Sequence, residues 1–74
     1  MLDKNKFKYF VANKNLTLAE VAVKLGMNPA TLSKKLNGTT DFTRQEIQLF
    51  KDIIGLSEAE MLSIFLLSLL RKRK

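Results

Sequence analysis

The sequence predicts an all-α fold, one small domain of five helices, and three observations predict it. Apolar residues recur at helical spacing throughout, with no convincing run of the period-two alternation that a half-buried strand needs. Helix-starting residues stand at Asp3, Thr17, Asn28, Thr43 and Ser57, and three of them are completed by a glutamate three positions on. Gly26, Gly38 and Gly55 each follow a helical stretch, where a left-handed residue closes a helix with least strain.

In chain order, Asp3 caps a first helix over about residues 4–14, with Phe7, Phe10 and Val11 on one face. Thr17 and Glu20 form a capping box for a second helix, about 18–25, whose inner stripe is Val21, Ala22 and Leu25. Asn28 caps a third helix with Pro29 at its first position, where the missing N–H has no helical partner to lose. Leu32 and Leu36 face inward, and Gly38 ends that helix. Thr43 and Glu46 box a fourth helix reaching about Ile54, with Phe42 and Ile47 as a hydrophobic staple. Ser57 with Glu60, and Leu56 with Met61, repeat both devices for the fifth.

A chain of 74 residues buries only about 60% of the surface its unfolded form exposes, so its core is barely sufficient alone. It has neither Cys nor His, which removes disulfides, soft metal ligands and the thiol nucleophile. No cofactor or metal is expected, and a second copy of the chain is the expected source of extra stability. The seven carboxylates largely serve capping positions and none is paired against a nucleophile, so no catalytic residue is assigned and no enzyme is expected. The N-terminus is charged with no continuous apolar segment behind it, so no signal peptide is expected. Together with the absence of cysteine, this predicts a cytoplasmic protein.

The formal charge of +6 is unevenly spread. Residues 1–40 carry seven lysines against Asp3 and Glu20, residues 41–70 carry two bases against five acids, and residues 71–74 are all basic. Such polarity suggests a basic half facing an anion, nucleic acid above all, and a more neutral half with another task.

The stretch "AEVAVKLGMNPATLSKKLNG", residues 19–38, carries the functional pattern. A helix of about eight residues, a three-residue turn led by glycine, and a second helix make a helix-turn-helix unit, whose second helix enters the DNA major groove. The crossing needs a small side chain, which Ala22 supplies, and a positive φ four residues later, which Gly26 permits. With Ala22, Gly26, Met27, Asn28, Thr31-Leu32-Ser33 and Gly38, the stretch resembles the helix-turn-helix of the Cro and lambda-repressor-like (Xre) family. The resemblance spans about residues 4–56, and the "KKLNG" and "DFTRQEI" segments are similar to small regulators of phages and mobile elements in Gram-positive bacteria. Two departures stand out. Lys35 sits where the family usually has an aliphatic residue, and the third helix opens on Pro29 and Ala30 instead of Gln or Arg.

The resemblance implies a lambda-repressor-like fold and a transcriptional regulator of the Cro type, binding double-stranded DNA as a homodimer in a bacterial cytoplasm. Base contacts carry over to Pro29, Ala30, Thr31, Ser33 and Lys34, with Ala30 against a thymine methyl and Lys34 donating to guanine. Phosphate contacts carry over to Thr17, Asn28, Lys35, Asn37, Thr39, Thr40 and Arg44. Asn28 has a competing role as a helix cap.

Residues 57–70 form an apolar segment with more than one apolar face, too short to span a bilayer. It is expected as a helix, or as a short strand through "IFLL", with Ile64, Phe65, Leu67 and Leu69 as dimer contacts. Residues 71–74 make a basic tail. Two rival readings are a protein-interaction module, an antirepressor or antitoxin binding a regulatory partner through this apolar face, and attachment to an anionic membrane surface.

Overall fold

The computed structural model describes residues 2–71, except the side chains of Leu67, Ser68 and Arg71. Its helices are α1 (Lys4–Asn13), α2 (Leu18–Lys24), α3 (Pro29–Leu36), α4 (Arg44–Ile54) and α5 (Glu58–Arg71). No strand occurs among the described residues, and α5 runs through Ile64 and Phe65 without interruption, which removes the strand alternative. The predicted basic tail, beyond the backbone of Arg71, lies outside the described residues.

Each helix is opened by a local side chain that accepts an otherwise orphaned N–H. Asp3 accepts from Lys6 N–H at 3.1 Å, and Asn28 from Thr31 N–H at 2.9 Å. The three capping boxes are reciprocal. Thr17 with Glu20, Thr43 with Glu46 and Ser57 with Glu60 exchange bonds of 2.8–3.1 Å in both directions.

Four helices also close in one way, with a left-handed residue followed by an N–H that reaches back five positions. These bonds are Leu16 to Val11, Met27 to Ala22, Thr39 to Lys34 and Leu56 to Lys51, at 2.9–3.2 Å. Glycine supplies the positive φ in three, whereas Asn15 (φ 58°) supplies it after α1. Asparagine is the residue that tolerates this conformation best after glycine.

The core is built on four phenylalanines from α1, the α3–α4 loop, α4 and α5. Phe7, Phe42, Phe50 and Phe65 are all fully buried. Phe7 stacks on Phe50 at 4.2 Å, and Phe65 meets Phe7, Phe42 and Phe50 edge-on at 5.4–6.1 Å. Such offset and edge-to-face pairs add to the burial of their surface. Leu2 is buried beside this cluster, and Asp3 N–H donates to Ile64 O at 2.9 Å, which fastens the start of the chain to α5.

This packing corrects the expected dimer contacts. Ile64 and Phe65 are 1% and 0% exposed, so they are core residues and offer nothing to a partner. Leu69 is partly buried against the core, and the side chain of Leu67 lies outside the described residues. The outward face carries Leu62, Leu66 and Leu70, 41%, 48% and 50% exposed. Because α5 is apolar nearly all round, its periodicity could not say which stripe turns inward. No helix among the described residues is long and apolar enough to cross a membrane.

Candidate nucleic-acid interface

α2 packs against α3, and Leu25 to Asn28 form the bend between them. Val21, Ala22, Leu25 and Leu32 are buried along this pair, and Met27 packs partly against the core. Gly26 has φ 77°, and a Cβ built there would meet no neighbour within 4 Å. The bend therefore needs glycine for its backbone conformation rather than for space.

With Leu32 and Leu36 sealed inward, α3 turns its other side to solvent. Pro29, Ala30, Ser33, Lys34 and Asn37 are all exposed on that side, at the i, i+1, i+4, i+5, i+8 spacing of one helical face. Thr31 is half-buried at the margin. This is the edge on which the predicted base-contacting residues meet, and Lys34 forms no ion pair among the described residues.

The predicted phosphate contacts divide into three groups. Thr39, Thr40 and Arg44 are exposed in or just after the α3–α4 loop, with Arg44 at the rim of a groove between α4 and α5. Thr17, Asn28 and Asn37 are exposed but already bonded. Thr17 Oγ1 and Asn28 Oδ1 accept helix-capping N–H groups, and Asn37 Oδ1 accepts from Lys4 Nζ at 3.2 Å. At the start of α2 the capping box also consumes two N–H groups and puts the Glu20 carboxylate there, which weakens that end as a seat for an anion.

Lys35 is the third case, and it is a correction. Its side chain is 11% exposed and folds away from the α3 edge. Its ammonium donates to Asp41 O at 2.9 Å, pairs with Glu46 Oε1 at 3.1 Å and lies 5.8 Å from the centre of the Phe42 ring. The same Glu46 oxygen accepts Thr43 N–H at 2.9 Å. Lys35 thus ties the last turn of α3 to the capping box of α4 and holds the loop carrying Thr39 and Thr40. The aliphatic stem takes the inward place and the charge is satisfied at the end of it, so no cation is left for a phosphate.

Lys35→Ala is expected to lower folding stability by about 1–3 kcal/mol, because it strips the Phe42 contact and leaves Glu46 poorly compensated. Lys35→Met combined with Glu46→Gln should recover most of that loss, since glutamine keeps the capping box and methionine keeps the packing. Urea unfolding of the three chains checks this. A single alanine variant as stable as the wild type would remove Lys35 from its place in the loop.

Two cations outside the predicted set adjoin the same edge. Lys4 and Lys8 of α1 line, with Leu18, Pro29, Leu32, Ser33, Leu36 and Asn37, a cleft of about 110 Å³ between α1 and α3. Sequence spacing alone gave them no distinction from Lys6, Lys14 and Lys24. Comparison with protein-family models, curated proteins and solved structures gives no significant match.

Proposed function

We propose that the chain is a sequence-specific double-stranded DNA-binding regulator with a lambda-repressor-like helix-turn-helix, acting as a Cro-type repressor. The observation that carries this reading is the exposed polar edge of α3, Pro29, Ala30, Ser33, Lys34 and Asn37, held rigid by the buried Leu32 and Leu36 behind it. A major groove admits one such helix, and its base edges are read by donors and apolar contacts at these positions. Ala30 meets a thymine methyl, Ser33 bonds either kind of base, and Lys34 donates to guanine. With Pro29 and Ala30 opening the helix, Lys34 carries the largest share of direct readout.

Lys34→Ala therefore weakens binding to a selected duplex by ~1–3 kcal/mol and flattens the preference at one base pair. Selection from random duplexes followed by titration checks both, and an unchanged preference would remove Lys34 from the base-reading set.

The exposed ladder Leu62, Leu66 and Leu70 supports action as a dimer. These positions recur every four residues, and α5 is acidic at its start (Glu58, Glu60) and basic from Arg71 onward. An antiparallel pair centred on Leu66 sets Leu62 of one copy opposite Leu70 of the other and brings acidic ends to basic ones. Two recognition helices then enter successive major grooves of an inverted repeat and block polymerase. The same ladder favours the second reading, capture of a partner protein, and gel shifts of the chain alone separate the two.

A further inference from the structure

The α1 lysines break two local rules of helix stability without a visible gain. Lys4 and Lys6 stand in the first turn, where the helix dipole disfavours cations, and no acidic residue lies in that turn. Lys4 and Lys8 form a like-charged i, i+4 pair, which is destabilising on a helix surface. Neither belongs to an ion pair among the described residues. Local rules broken in this way mark functional positions.

We infer that the cleft between α1 and α3 seats a sugar–phosphate unit of the DNA backbone, with Lys4 and Lys8 as its cations. The inference rests on the DNA-binding reading above. The cleft is built for this group in two parts. Leu18, Leu32 and Leu36 give it an apolar floor suited to the carbon face of a deoxyribose, and Lys4, Lys8, Ser33 and Asn37 supply donors at its rim. Lys4 Nζ is already turned toward this rim by Asn37 Oδ1. Pro29 and Ser33 belong to both the cleft wall and the α3 edge, so a strand whose bases meet α3 passes its backbone over the cleft. An anion there relieves the repulsion between the two lysines and offsets the unfavourable dipole.

The test uses the salt dependence of binding to a duplex selected with the wild-type chain. Lys4→Gln/Lys8→Gln is compared with Lys6→Gln/Lys14→Gln, which removes equal charge from α1 outside the cleft. Loss of one phosphate contact lowers the slope of log affinity against log salt by about 0.9. The cleft variant is expected to show that decrease, and the control variant less than half of it, while neither melting temperature falls. Equal decreases would overturn the inference and leave the DNA reading standing. A wild-type chain that binds no duplex at low ionic strength would overturn both. Titration with inorganic phosphate at constant ionic strength should leave the Ser33 and Asn37 amide signals in place. Saturable movement there would make the cleft a free-anion site and contradict a backbone seat.

Discussion

Phe7→Ala is expected to remove about 3–5 kcal/mol of folding stability, the largest effect of any single truncation in this chain. Phe7 is fully buried, stacks on Phe50 at 4.2 Å and lies 5.8 and 6.1 Å from the rings of Phe42 and Phe65. Its removal opens a cavity where α1, α4, α5 and the α3–α4 loop meet, and fully buried rings on every side cannot collapse into it without leaving their own contacts. Small domains have only about 5–15 kcal/mol to lose, so the variant should be partly unfolded near body temperature. Tyr9→Ala, on the same helix but 61% exposed, should change stability by no more than about 0.5 kcal/mol. Urea midpoints for the two variants check the contrast. A loss below about 1 kcal/mol for Phe7→Ala would mean that the aromatic cluster does not organise the fold.

Ser33→Glu is expected to lower duplex affinity at least ~100-fold, about 2.7 kcal/mol, with the melting temperature almost unchanged. Ser33 is exposed in the middle of α3, and glutamate is a good helix former, so the fold has no reason to suffer. On the proposed interface the new carboxylate faces base-edge acceptors and backbone phosphates at close range, a like-charge juxtaposition that costs several kcal/mol. Gln48→Glu makes the same charge change on the exposed side of α4 and should cost only the small general effect of one lost unit of positive charge. Titration of a selected duplex at fixed salt separates them. Equal losses would mean that binding follows net charge and that α3 has no special place in it.

What was legible in the sequence was local. Thr17 with Glu20, Thr43 with Glu46 and Ser57 with Glu60 are three residues apart, so their chemistry is complete within one turn of chain. Helix order, the bend at Gly26 and the inward turn of Leu32 and Leu36 followed from the same short-range reasoning. The left-handed Asn15 was missed because asparagine takes that conformation only sometimes, whereas glycine advertises it.

What was not legible depended on tertiary partners. Lys35 meets Glu46 eleven positions away, and nothing in its own neighbourhood says that its charge turns inward. Phe65 meets rings contributed by three other segments, while its immediate neighbours in α5 are as apolar as it is. Lys4 and Lys8 differ from the remaining lysines only by the cleft they line, which the docking of α1 on α3 creates. The exposed edge of α3 was readable as a face; its cationic border on α1 required the fold.

Hydroxyl-radical footprinting on a duplex selected from random sequence tests most directly whether α3 reads the major groove. The account predicts two protected patches on one side of the duplex, their centres one helical turn or about 34 Å apart, both lost in Ser33→Glu. A chain that leaves every duplex unprotected at low ionic strength, or that protects it evenly along its length, would contradict it.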